Sequence, residues 1–452
     1  MKSQTYPVLS QRISTEVKAC LGLALPLAGA QLAQTLTAFV DTVMIGNLGS
    51  EALAAGALGG VIFAALSIIA SAIVSAASPM VATAYGAGKI EKIGPVVHQG
   101  FWVCVILTVI VSPIFQQGET ILTQAGQESA QAALAADYLH AIFWGFLPAL
   151  GFNVLRSFVT ALSESRCILI IVITGTLLNI IANYLLILGK FGFPALGLAG
   201  AGWASTFALT SMCLMLAGYI LSQERFRVYQ IWRGYRFDRK ITQELLKIGL
   251  PMGMLSAVEV GVFTVITFLI GSLGTISLAA HQIALQSASM TFTVPVGISL
   301  ATTVRVGQFM GKADLKAARL AGYVGISLGG IFMTTTALLF WLVPGLIVSL
   351  YLDTSQPENF AVLAQAKAFL GVAAMFQIFD GIQVCAVGAL RGLKDTRMPM
   401  LIGIVAYWII GLGVGSFLGL KLQLGGLGLW WGVALGLAVA AIILTWRFEQ
   451  RV

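Results

Sequence analysis

Residues 25–55 read LPLAGAQLAQTLTAFVDTVMIGNLGSEALAA, and residues 250–280 read LPMGMLSAVEVGVFTVITFLIGSLGTISLAA. A shift of 225 residues lays Leu25-Pro26 on Leu250-Pro251 and Gly46-Asn47-Leu48-Gly49 on Gly271-Ser272-Leu273-Gly274. The same shift lays Leu53-Ala54-Ala55 on Leu278-Ala279-Ala280, and eleven of the 31 pairs are identical. Gly88-Lys89 and Gly311-Lys312 follow at almost the same shift. Further on, 161–166 parallels 391–397 and 197–203 parallels 425–431. The chain is an internal duplication, so whatever one copy builds, the other builds again.

Each copy is too apolar for water. The 452 residues are 58% hydrophobic and 10% charged, with a mean hydropathy of +0.92. A soluble domain carries about 25% charged residues. The apolar stretches are long and uniform, which selects helices over the alternating short strands of a barrel. A helix needs about 20 apolar residues to cross a bilayer. Twelve such spans are predicted, near 17–46, 52–83, 95–117, 131–158, 165–189 and 195–222, then 242–272, 275–308, 318–352, 361–389, 398–420 and 425–447. The expected fold is therefore all-α, with twelve transmembrane helices in two pseudo-symmetric six-helix lobes. The lobes are expected at 1–222 and 242–452, joined by a basic linker at 223–241.

The charges fit this count. Basic residues fall at the N-terminus (Lys2, Arg12, Lys18) and after even-numbered spans: Lys89 and Lys92, Arg156 and Arg166, Arg225 to Lys247, Arg305 to Arg319, and Arg391 to Arg397. Arg447 and Arg451 follow span twelve, while Glu119, Glu128, Asp137, Asp353 and Glu358 gather on the opposite side. By the positive-inside rule both termini are cytoplasmic. A cell inner membrane is expected, and the polar stretch from Met1 to Thr15 does not resemble a cleavable signal peptide. Because each half holds an even number of spans, the halves run parallel, an arrangement suited to alternating access around a cleft between lobes. The linker interleaves Phe226, Tyr229, Trp232, Tyr235 and Phe237 with its arginines. It is read as lying on anionic lipid headgroups rather than on nucleic acid.

Three carboxylates stand inside the spans: Asp41, Glu259 and Asp380. A charge at bilayer depth costs a few kcal/mol on insertion scales, and such residues are by default functional. The duplication did not place them, since Asp41 aligns with Ile266 and Glu259 with Gln34. Glu259 follows Pro251 by eight residues, and Asp41 follows Pro26 by fifteen. A proline removes a backbone hydrogen bond and can kink a span. A buried carboxylate can take up a proton, Na+ or an organic cation. Thr264 and Thr267 are candidate oxygen neighbours of Glu259. Asn179 and Asn183 share a helical face in span five, next to Tyr184. Arg305 and Arg391 are read as snorkelling or locking loops.

Other motifs do not carry chemistry. Gly325-Ile326-Ser327-Leu328-Gly329 fits G-x-S-x-G but lies in an apolar helix, without the strand–turn–helix of a nucleophile elbow. Gly307 to Lys312 is one residue short of a P-loop, and the glycines at 411–415 follow no strand. The five cysteines are read as free thiols, and His98, His140 and His281 show no metal spacing. No enzyme is expected. Two transport readings remain at this point, an ion-coupled transporter and a lipid or lipid-linked oligosaccharide flippase. The acidic intramembrane charge favours cationic cargo.

The stretch FVDTVMIG around Asp41, the 252–284 stretch MGMLSAVEVGVFTVITFLIGSLGTISLAAHQIA, the VRVGQFMGK segment and FDGIQVCAVGALRGLKDTRMPM occur in order. Together they resemble the MATE (multidrug and toxic compound extrusion) transporters, on the NorM-like branch because Glu259 is present. The resemblance implies a central cavity and export of small organic, often aromatic cations in exchange for Na+ or H+, with no other cofactor. It implies a protein that works as a monomer among membrane lipids. By residue it implies cargo or cation binding at Asp41, with Asn179 as a polar partner. It implies a coupling-ion site at Glu259 and Asp380, which Na+ can occupy. Some NorM-like members carry a tyrosine one turn before the second-lobe aspartate, where this chain has Phe376.

Overall fold

The computed structural model describes residues 9–452, so Lys2 lies outside the described residues. Among the described residues, twelve helices are long and apolar enough to span a membrane. In the first half they are Ser10–Gly46, Ser50–Gly86, Ile90–Gln116, Ser129–Ala161, Arg166–Leu188 and Gly197–Ser222. In the second they are Arg239–Gly271, Thr275–Gly311, Leu315–Leu342, Pro357–Gly392, Arg397–Lys421 and Gly425–Arg451. They are called spans one to twelve below. No strand occurs among the described residues.

The duplication is written into the backbone. Gly49 and Gly274, 225 residues apart, precede spans two and eight with φ of 110° and 120°. Only glycine adopts that conformation without strain. Left-handed residues recur in the other turns as pairs, Gly88 with Ala313, Ser163 with Lys394, and Phe191 with Gln423. An ion pair recurs as well. Glu164, after span four, pairs with Arg225 beyond span six. Its counterpart Asp395, after span ten, takes Arg447 at 2.8 Å and Arg451 at 3.2 Å.

Two boundaries differ from the sequence expectation for physical reasons. Span nine stops at Leu342 rather than running to 352, because Pro344 opens a separate short helix, Pro344–Ser349. Val343 before it leaves the helical region, with φ −132° and ψ 45°, as residues preceding proline tend to. Span one starts about two turns earlier than expected. Residues 10–15 are exposed, and the head is anchored at the buried Glu16, whose two carboxylate oxygens accept from Arg305 Nε at 2.8 Å and Nη2 at 2.6 Å.

The described residues form two compact units, one of residues 29–253 and one of 9–28 with 254–452. These units are not the expected lobes 1–222 and 242–452. The division falls two residues after Pro26 and two after Pro251, so the head of each half's first span belongs with the other half's spans. Small residues make this packing close. Gly297 of span eight lies so near the head of span one that a Cβ there would meet Ala28 N at 2.8 Å. A Cβ on Gly253, on the head of span seven, would equally meet the Ile69 carbonyl of span two at 3.1 Å. In a bilayer, where lipid competes for apolar surface, such small-residue contacts drive helix association.

Candidate functional site

In the unit of residues 29–253, span one presents Asp41 to spans five and six. Asn183 donates from Nδ2 to Asp41 Oδ1 at 2.5 Å and to Asn179 Oδ1 at 3.0 Å. Ser205 of span six approaches Asp41 Oδ2 at 3.5 Å, and Asn179 Nδ2 approaches the same hydroxyl at 3.4 Å. Asn179 and Asn183 are buried, the result of their four-residue spacing on one helical face. A carboxylate only accepts, so the Asn183 nitrogen faces Asp41, and its Oδ1 is buried with no hydrogen-bond partner. One turn before Asp41, Thr37 and Thr176 join the same two helices at 2.7 Å. Tyr184 stays outside this cluster, 44% exposed. Ser205 was not foreseen, because a serine in a small-residue helix carries no distinguishing signal.

In the other unit, Tyr407 donates its hydroxyl proton to Glu259 Oε1 at 3.3 Å, and the Gln383 side chain reaches the same carboxylate. Asp380 on span ten lies within electrostatic reach of both Glu259 and Tyr407. The structure brings Glu259 and Asp380 within electrostatic reach of each other, and sequence reading did not point to Tyr407 or Gln383. Tyr407 is delivered by a wide turn. Residues Val405–Leu412 form a π-helix, a form frequent at functional sites. Trp408, next in that stretch, donates to the Val258 carbonyl at 3.1 Å and fixes it against span seven. Of the glycines at 411–415, Gly411 and Gly415 are buried packing residues. A Cβ on Gly415 would meet the Leu429 carbonyl of span twelve at 3.0 Å.

Three expectations are corrected here. Thr264 turns back to the Val260 carbonyl and does not contact Glu259. Thr267 belongs to a separate buried group around His281. Trp430 donates to His281 Nδ1 at 3.1 Å, which leaves Nε2–H to donate to Thr267 Oγ1 at 3.0 Å. His281 is thus held neutral by a donor-only indole, and no oxygen from this group reaches Glu259. Arg391 does not snorkel. Its Nε is buried without a hydrogen-bond partner, and its charge acts on Glu259 and Tyr407. Phe376, one turn before Asp380, packs edge-on against Phe263 and Trp430, with centroids at 6.1 and 5.7 Å.

The three acids share one property. Among the described residues, none of them forms an ion pair within 4 Å. Asp41 and Glu259 are instead held by neutral donors, hydroxyl and amide groups that orient a carboxylate without cancelling its charge. A buried carboxylate so arranged attracts a mobile cation.

Twelve apolar helices carrying such acids define a multi-pass integral membrane transporter. The MatE family profile matches residues 26–185 and 251–418, beginning at Pro26 and Pro251 in the two halves, and the chain belongs to this family. It is 43% identical to a probable multidrug resistance protein NorM of Synechococcus, over 96% of this chain and 94% of the relative. It is 41% identical to the protein of that name from Pseudomonas aeruginosa, over 96% of this chain and 90% of the relative. Its fold is similar to that of the eukaryotic MATE transporter AtDTX14, with a TM-score of 0.84, 20% identity, and coverage of 97% of this chain and 98% of that one. These similarities do not favour the flippase alternative.

Proposed function

We propose that the protein exports small organic, often aromatic cations from the cell in exchange for Na+ or H+, by alternating access. The observation that carries this reading is the set of span-embedded carboxylates with no ion-paired basic side chain. The relatives' name, probable multidrug resistance protein, supports the cargo class. Asp41 and Asn179 take the organic cation, with the free Asn183 Oδ1 as a further acceptor for a cationic N–H. Glu259 and Asp380 take the coupling ion. Two carboxylates, a phenol and an amide oxygen form a hard donor set that suits Na+. The same carboxylates can carry a proton. Cargo and ion compete because each neutralises intramembrane negative charge. One chain suffices, both termini face the cytoplasm, and the membrane is the cell's inner membrane.

The test is ethidium accumulation in cells stripped of their own efflux pumps. Expression of the protein is expected to lower accumulation severalfold. Asp41→Asn is expected to remove most of that effect while insertion is unchanged. Cells that retain ethidium equally with and without the protein, at matched and membrane-inserted expression, contradict the reading.

A further inference from the structure

The segment joining the two halves carries a groove that the transport reading does not use. It has a volume of about 460 Å³ and is lined by Ile220, Leu221, Ile231 and Trp232 together with Arg227 and Arg233. The chain reverses at Gln230, whose φ is 49°, so that arginines on either side of the turn line one groove. Ile220 and Leu221 belong to the last turn of span six, which ends at Ser222. At 1.5 Å per residue this 26-residue helix is roughly 39 Å long, enough to bring its end to the headgroup region.

The arginines of this segment differ in what they already hold. Arg225 is engaged by Glu164 and by the Tyr219 hydroxyl at 2.8 Å. Among the described residues Arg227 pairs with Glu224 alone, at 3.8 Å, with both side chains largely in solvent. Among the described residues the Arg233 guanidinium donates to the neutral Gln230 amide oxygen alone, at 3.2 Å. An exposed ion pair at such a distance contributes little, so both guanidiniums keep donors for another anion. Beside them Leu221, Val228 and Trp232 are about half exposed. Tryptophan is enriched at the membrane–water interface because its ring is apolar and its N–H is wet.

We infer that this groove binds one acidic phospholipid, with its phosphate between Arg227 and Arg233 and its acyl chains along Ile220, Leu221 and Trp232. The combination selects the ligand. A free phosphate does not use the apolar wall, and a zwitterionic lipid brings no net charge to the arginines.

The experiment is native mass spectrometry of the full-length protein in detergent, titrated with phosphatidylglycerol, phosphatidylcholine or glycerol phosphate. Phosphatidylglycerol is expected to bind in preference to phosphatidylcholine, and glycerol phosphate not to bind at millimolar concentration. Arg227→Gln with Arg233→Gln is expected to weaken phosphatidylglycerol binding about thirtyfold, at roughly fivefold per basic residue. Arg239→Gln with Lys240→Gln removes the same charge outside the groove and is expected to have a much smaller effect. Equal losses in the two double variants would overturn the site in favour of general surface charge. Binding of glycerol phosphate as tight as that of the lipid would overturn the lipid assignment. Each variant is first shown to elute as the wild type does.

Discussion

Glu259→Gln is expected to abolish cation export, and Asp380→Asn to do the same, with both variants inserted and eluting as the wild type. The loss should be about a hundredfold or more, the scale on which a buried charge pair loses one partner, the pair here being the carboxylate and its coupling ion. The reason lies in the local arrangement. Glu259 is held by Tyr407 and neighboured by Asp380, with Arg391 the basic charge acting on it. Glutamine keeps the shape and one acceptor but carries no charge for an ion to neutralise. Tyr407→Phe is the informative comparison. It removes the hydroxyl at 3.3 Å while keeping the ring in the π-helix, so it should weaken transport less than loss of the charge. The check is ethidium export by cells expressing each variant, at matched levels of inserted protein. Wild-type export by both acid variants would remove these carboxylates from the coupling step.

The second large effect is on stability. Glu16→Leu is expected to destabilise the protein by about 3 kcal/mol, the lower end of the range for breaking a buried ion pair. Glu16 and Arg305 are bonded twice, with side chains 6% and 19% exposed, so the variant leaves a guanidinium enclosed without its carboxylate. Adding Arg305→Met should restore most of the loss, because a buried pair can be replaced by apolar side chains at little net cost. Thermal unfolding of the purified protein in detergent measures both. A single variant that melts with the wild type would show that the pair does not anchor the head of span one.

The repeated Leu-Pro and Gly-x-x-Gly marks made the two-fold repeat of the fold legible in the sequence. The length of the apolar stretches gave the span count. The heads of spans one and seven were not legible as members of the opposite units. Their placement rests on Glu16 meeting Arg305 and on glycines meeting distant backbone, contacts between residues far apart in the chain. Asp41, Glu259 and Asp380 stood out because charge is rare in apolar helix. Their partners did not. Ser205, Gln383 and Tyr407 are ordinary residues for a membrane helix, and the π-helix that presents Tyr407 leaves no mark that periodicity detects. Thr267 misled for the same reason, since helical spacing from Glu259 says nothing of the histidine that claims it.

The central claim is that cargo and ion exchange through these carboxylates. It is tested most directly by the purified protein in liposomes loaded with ethidium, under an imposed Na+ gradient or an imposed pH gradient. The account predicts ethidium movement against its own gradient, driven by one of the two ion gradients and absent in Glu259→Gln. Folded wild-type protein that moves no ethidium under either gradient would contradict it.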